Sequence, residues 1–179
     1  IYVLLKEVID NTVDEFIMGH GKKVLVDVDD TSATVRDFGR GIPLGKLQEC
    51  VSEINTGAKF NTEVFQFSVG LNGIGTKAVN ALAEYFYVES FRQGKYRRLS
   101  FEYGELVEDK KGKTSEEDGT LVSFTPDHRV FSQYHYQEEF ITRRLWHYAY
   151  LNSGLTLVFN GKRIASRNGL FDLLTEKLE

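Results

Sequence analysis

Three groups of residues have types and spacings that can do chemistry. In the stretch Leu4–Gly21, LLKEVIDNTVDEFIMGHG, Glu7, Asn11 and Asp14 fall at i, i+4 and i+7, so a helix carries them on one face, with Asp10 and Glu15 beside it. A carboxylate one turn from a carboxamide can hold a divalent cation together with water, or water alone; a solvated acidic helix is the plainer reading of the same pattern. The second group is Asp37-Phe38-Gly39-Arg40-Gly41-Ile42-Pro43, where Asp37 ends a strand-like run beside a glycine turn and can point into a pocket. The third is Ser68–Gly75, whose glycines Gly70, Gly73 and Gly75 precede the helix-like Thr76–Glu84 and expose backbone N–H groups suited to phosphate. No Gly-Lys-Ser/Thr closes that run and no strand leads into a dinucleotide fingerprint, so it is neither of those familiar phosphate loops.

The elements that must position these groups follow from periodicity. Leu5, Val8, Ile9, Val13, Phe16 and Ile17 recur at helical spacing, and His20-Gly21 stops the helix. Val24, Val26 and Val28 alternate, Asp29–Ser32 turns, and Ala33–Phe38 returns, which predicts an antiparallel pair. Leu44–Ile54 reads as a helix burying Leu47, Cys50, Val51 and Ile54. Asn55–Gly70 has no clean period and reads as a long loop of the kind that serves as a lid, with Phe60, Phe65 and Phe67 equally suited to plain anchoring. Phe86–Phe91, Lys95–Tyr103 and Leu121–Thr125 read as strands, with Gln93-Gly94 as a tight turn. A short strand is expected at Leu106–Glu108, then a charged solvent loop over Asp109–Gly119. Pro126–Tyr136 is irregular, Gln137–Leu151 helical, Leu155–Ala165 a hairpin about Asn160-Gly161, and Gly169–Glu179 a short amphipathic helix. Helices mixed with antiparallel hairpins indicate an α+β sandwich, with helices covering one sheet face and the other more open.

Composition narrows the class. The 179 residues suit one domain with its own core, and the apolar and charged fractions are those of a globular protein. The net charge of −4 argues against this segment being a principal DNA-gripping surface. No run approaches the roughly 18 apolar residues of a membrane span, and no signal peptide opens the chain. A single cysteine, Cys50, in an apolar helical pattern favours a buried thiol and an intracellular, cytoplasmic setting. The opening Ile1 and the helix that starts almost at once suggest an excised domain.

Taken together, Glu7–Glu15 (EVIDNTVDE), Asp37–Pro43 (DFGRGIP), Thr56–Phe60 (TGAKF), Gly70–Leu82 (GLNGIGTKAVNAL), Asp118–Thr120 (DGT) and Leu151–Gly154 (LNSG) resemble the nucleotide-binding domain of the GHKL ATPases, and among them the B subunits of bacterial type IIA topoisomerases. The resemblance covers nearly the whole chain. It implies a two-layer α+β sandwich of the GHKL (Bergerat) type, with a mixed, mainly antiparallel sheet, and ATP with Mg²⁺ as cofactors. Glu7 matches the general base and Asn11 the magnesium ligand, with Asp14 on the same helix face and Glu15 beside it counted among the cofactor-binding residues. Asp37 matches the aspartate that accepts from the adenine amino group, with Thr120 sharing a water and Gly39 and Gly41 beside the base. Guanine would set a carbonyl against Asp37, which favours ATP over GTP. Arg40 has two roles open to it, pairing with Glu15 or lying over the adenine plane. Val35, Ile42, Pro43, Ile54 and Val122 would floor the pocket, and Arg98 matches an arginine at its outer rim.

In the same resemblance Gly70, Leu71, Asn72, Gly73, Ile74, Gly75 and Thr76 offer N–H groups to the phosphates, and Lys59 and Lys77 add positive charge, though surface lysines read equally simply. Asn72 stands where gyrase-type motifs commonly have histidine and Val69 where they have glycine; neither change removes a backbone donor. The implied partners are ATP, DNA through the full-length protein, the A subunit of gyrase or of topoisomerase IV, a second copy of the B subunit when ATP is bound, and adenine-pocket inhibitors, with no membrane. An N-terminal arm and a transducer domain carrying a further lysine would lie outside these residues, so the isolated domain is expected to bind ATP yet hydrolyse it very slowly. The sequence leaves gyrase against topoisomerase IV open. A sensor histidine kinase, a MutL-like or Hsp90-like ATPase, and a purely structural use of the acidic helix are the competing readings.

Overall fold

The computed structural model describes residues 1–52 and 75–178. Within them the chain runs α1 (Tyr2–Ile17), β1 (Lys23–Val28), β2 (Ala33–Asp37), a 3-10 turn (Leu44–Lys46), α2 (Leu47–Val51), α3 (Gly75–Ala81), β3 (Ala83–Arg92), β4 (Lys95–Glu102), β5 (Glu105–Lys113), β6 (Gly119–Pro126), α4 (Glu138–Leu151), β7 (Thr156–Phe159), β8 (Lys162–Ala165) and α5 (Leu170–Leu178). No helix among the described residues is long and apolar enough to cross a membrane.

α1 forms where the apolar stripe predicts it and buries Leu4, Leu5, Val8, Ile9 and Val13. Ile17, expected to extend that stripe, is 64% exposed. The helix is already ending there: the Gly19 N–H returns to the Phe16 carbonyl and the His20 N–H to that of Glu15, which closes the last turn. The eight strands form one mixed sheet in the order β5-β4-β3-β6-β2-β1-β7-β8. Every neighbouring pair is antiparallel except β1 and β7, where Val24 lies opposite Leu157 and Val26 opposite Phe159. Side chains alternate across a strand, so the row Val26–Val35–Val122–Val88–Leu99 runs along one face of the sheet. That face is buried under α1, α2, α3 and α4 in a single core with Phe86, Phe124, Leu145 and Leu157. The opposite face is more open, as at Tyr85 and Asp27. The result is the expected two-layer α+β arrangement, helices on one side.

Several boundaries differ from the sequence reading. β5 runs over Glu105–Lys113 rather than only Leu106–Glu108, taking Lys110, Lys111 and Lys113 out of the expected loop. Its ladder to β4 holds it, while its side chains stay exposed or half-exposed; charged side chains on such an edge strand hinder pairing with another sheet. α3 stops at Ala81 because Ala83 already belongs to β3, and Leu44–Lys46 is a 3-10 turn leading into α2. The loop expected over Asn55–Gly70 and the end of the helix at Ile54 lie outside the described residues.

Phe124, 1% exposed in the centre of the sheet, should be a principal stability determinant. Phe124→Ala is expected to cost about 3–5 kcal/mol in urea unfolding, whereas Val107→Ala on the edge strand should stay within about 0.5 kcal/mol.

Candidate functional site

The polar face of α1 meets the start of α3. A Cβ added to Gly75 would collide with Glu7 Oε2, so the absence of a side chain at Gly75 lets the Glu7 carboxylate lie against the α3 backbone. One turn on, Asn11 Nδ2 donates to Thr76 Oγ1 at 2.6 Å. With its amide nitrogen so used, Asn11 directs its carbonyl oxygen elsewhere, and among the described residues that oxygen accepts no hydrogen bond. A hard oxygen of this kind fits magnesium as one ligand of several, but a lone carboxamide is too weak to hold the ion without further oxygens. Asp14 is partly buried on the same face; desolvation, then Asp10 and Glu15, push its carboxyl up. Asp10 itself turns to α4, where the Tyr148 hydroxyl binds it, and Lys6 pairs with it along α1.

Glu15 anchors the glycine turn. Its Oε2 accepts from the Arg40 backbone N–H at 3.0 Å and from Nε at 3.3 Å, and its Oε1 from Nη2 at 2.7 Å. A Cβ on Gly39 would fall 2.6 Å from Glu15 Oε2, so this fork needs glycine there. Of the two roles open to Arg40, the ion pair with Glu15 is the one the geometry displays. Gly41 has φ +74, and a Cβ would meet the Phe91 carbonyl oxygen at 2.5 Å, so the turn is pressed directly onto β3. Ser90 Oγ donates to the Ile42 carbonyl at 2.6 Å, which fixes the next residue and the approach to Pro43.

Asp37 closes β2 at 7% exposure. Its Oδ1 accepts from the Gly39 N–H at 3.0 Å and the Thr120 N–H at 3.2 Å. Burial pushes the carboxyl from the ordinary 3.8 up to about 6, with Glu15 adding to the rise and the two N–H donors and Arg36 opposing it. The register sets Val35 opposite Val122 and Thr120 opposite Ser90, so Val35, Asp37, Thr120 and Val122 share the sheet face that the helices cover. Lys77 follows Thr76 on α3, partly buried. Ile54, Lys59, Gly70, Leu71, Asn72, Gly73 and Ile74 lie outside the described residues.

Arg98 is not brought to this site. It stands opposite Glu89, in the row that continues through Leu121 to Arg36, on the face away from Asp37. There it pairs with Glu89 at 3.4 Å and lies 5.5 Å from the Tyr87 ring centroid and 5.7 Å from that of Tyr96. Strand alternation is the reason: one residue either way reverses the face. The arginine beside the turn is instead Arg92, whose Cγ would lie 2.9 Å from a Cβ on Gly41. Counting parity back from the Gln93-Gly94 turn would have placed both Ser90 and Arg92 on the Asp37 side.

The chain belongs to the histidine kinase-, DNA gyrase B- and HSP90-like ATPase family, whose model matches residues 1–130. It is 52% identical over 179 residues to the B subunit of DNA topoisomerase IV from Borreliella burgdorferi, covering 100% of this chain and 30% of that protein. With the B subunit of DNA gyrase from Thermus thermophilus it shares 38% identity over 176 residues, covering 89% of this chain and 27% of the relative. The chain thus spans about a third of the length of these relatives or less. The crystal structure of the 43K ATPase domain of Thermus thermophilus gyrase B in complex with an aminocoumarin superposes with a TM-score of 0.79 at 34% identity, covering 98% of this chain and 49% of that one.

The raised pKa of Asp37 has a stability consequence. A carboxyl whose folded value lies above its unfolded one contributes stability that is full below about 4 and lost as pH rises through about 6. Asp37→Asn keeps an oxygen for both N–H donors and removes the buried charge. It should therefore raise the unfolding free energy at pH 8 by on the order of 1–3 kcal/mol, with a smaller gain at pH 5. Paired thermal melts of the ligand-free proteins check this; a loss of stability at pH 8 would refute it.

Proposed function

We propose that this chain is the ATP-binding and ATP-hydrolysing domain of the B subunit of a type IIA DNA topoisomerase, gyrase B or topoisomerase IV B, in which ATP-driven dimer closure powers DNA strand passage. The observation that carries the reading is Asp37. One of its oxygens is occupied by the Gly39 and Thr120 N–H groups. The other is left to a ligand donor, and the adenine amino group is such a donor, with the Thr120 hydroxyl and a water complementing the ring nitrogen next to it. Gly39, Gly41, Ile42, Pro43, Val35 and Val122 would enclose the base, and Arg92 would border it.

At the other end of the site Glu7 would act as general base. It takes a proton from the water whose oxygen forms the new bond to the γ-phosphorus while the bond to the departing ADP oxygen breaks. Asn11, oriented by Thr76, would offer its carbonyl oxygen to magnesium, which when bound neutralises charge on the phosphates. The phosphate contacts expected from Gly70–Ile74, Gly75 and Thr76, and the cations Lys59 and Lys77, belong to the same proposal. So do the wider partners: DNA, the A subunit, a second copy of the B subunit, and adenine-pocket inhibitors. A cytoplasmic setting goes with them.

Glu7→Gln in the full-length protein should leave affinity for a non-hydrolysable ATP analogue nearly unchanged while turnover falls by about 100-fold or more. Calorimetry and a coupled ATPase assay separate the two effects, and normal turnover with intact binding would rule Glu7 out. Paired with its A subunit, a gyrase would introduce supercoils into relaxed DNA, whereas a topoisomerase IV would decatenate without doing so.

A further inference from the structure

Arg36 sits on the sheet face away from Asp37, where the layer is open, yet it is only 6% exposed. Its guanidinium lies between two rings, 4.3 Å from the Phe38 centroid and 4.5 Å from that of Phe91. Nη1 donates to the Asp37 carbonyl and Nη2 to the Glu117 carbonyl, the latter at 2.6 Å. Glu116 approaches to 4.0 Å. A Cβ on Gly119 would collide with both Arg36 Nη1 and the Asp37 carbonyl oxygen, and that glycine has φ +145, so the start of β6 is shaped to admit the guanidinium.

A buried guanidinium carries a desolvation cost that an apolar side chain between the same rings would avoid. What arginine adds is a rigid fork that bonds two separate carbonyls at once. Those carbonyls belong to the end of β2 and to the segment entering β6. The same two stretches supply the Asp37 carboxylate and the Thr120 N–H on the other face.

We propose that Arg36 is a positioning residue for ligand recognition, fixing the separation of Asp37 and Thr120 from the opposite side of the sheet. The inference rests on the nucleotide reading above. Its electrostatic side is separable from its mechanical one. The charges around Asp37 are Glu15 from α1 and Arg36 itself; around Arg36 they are Glu89 from β3, Glu116 and Glu117 before β6, and Lys23 from β1, which lies 4.6 Å from the Phe38 ring. Arg36 is the cation that opposes protonation of Asp37.

The test uses this chain, a non-hydrolysable ATP analogue, and calorimetric titration from pH 5 to pH 8, with thermal melts as the check on folding. For wild type, affinity should fall as pH drops through about 6, where the Asp37 acceptor is protonated. Arg36→Gln should bind about tenfold more weakly at pH 8 and move the pH midpoint upward, because the opposing cation is gone. Arg36→Lys keeps the charge and loses the fork, so it should bind more weakly at the wild-type midpoint. A merely structural role would lower the melting temperature and leave the midpoint in place. A folded Arg36→Gln with wild-type affinity and midpoint overturns the proposal. Should Arg36→Gln fail to fold, Arg36→Lys decides: reduced affinity at an unchanged midpoint and an unchanged melting temperature supports the role, while wild-type affinity, or reduced affinity that comes with a lowered melting temperature, refutes it. Wild type that does not bind the analogue refutes the nucleotide reading itself.

Discussion

The burial of the Asp37 carboxylate is the constraint around which the site is arranged. Moving that group out of water favours its neutral form, and after the N–H groups of Gly39 and Thr120 have offset part of this the net bias is on the order of 3 kcal/mol relative to its ordinary value. A carboxylate held so unfavourably does not improve the core. On the reading proposed above it is tolerated because an acceptor already stripped of water and aimed by two hydrogen bonds would bind a complementary donor without reorganising. The glycine turn follows from the same need. The Gly39 N–H must reach back to Oδ1, and the turn is held in that shape by Glu15 on one side and by Ser90 and β3 on the other.

α1 couples core to chemistry through helical geometry. Its buried stripe of Leu4, Leu5, Val8, Ile9 and Val13 locks its rotation over the sheet. With rotation fixed, the remaining faces are fixed as well: Glu7 and Asn11 toward α3, Glu15 toward the Arg40 turn, and Asp10 toward Tyr148 on α4. Acidic residues that would repel one another on an isolated helix are thus distributed among separate partners. Charged groups built on a packed helix are placed more firmly than they would be on a loop.

Much of this was legible in the residues. The helical period of Leu4–Val13 and the alternation through Val24, Val26 and Val35 located α1, β1 and β2. Gln93-Gly94 and Asn160-Gly161 announced two hairpins whose turn residues all take positive φ, as a two-residue turn of right-handed strands demands. Motif order pointed to Glu7, Asn11, Asp37 and Thr120, and the structure gathers Glu7 with Gly75, Asn11 with Thr76, and Asp37 with Thr120. What failed did so for physical reasons. β5 has no apolar alternation because an edge strand is held by its backbone ladder, so its charges read as a loop. Arg98 was misplaced by strand parity. The parallel pairing of β1 with β7 joins segments more than a hundred residues apart, which no local period encodes. Arg36 reads in sequence as an ordinary charged strand residue, and only the rings flanking it reveal that it is buried.

Glu15 and Asp37 illustrate how the site limits its own electrostatic cost. Two carboxylates face the same turn, and Glu15 is the leading charge acting to raise Asp37. The Arg40 fork on Glu15 answers this, since it ties that carboxylate to a cation and directs its oxygens into the turn. Arg36 opposes the rise at Asp37 from the other face of the sheet. Two arginines thus brace the turn, Arg40 through the Glu15 carboxylate and Arg36 through the backbone carbonyls of Asp37 and Glu117. On the reading proposed above, an adenine-type donor would meet at Asp37 a carboxylate whose position is already settled by the backbone N–H groups of Gly39 and Thr120.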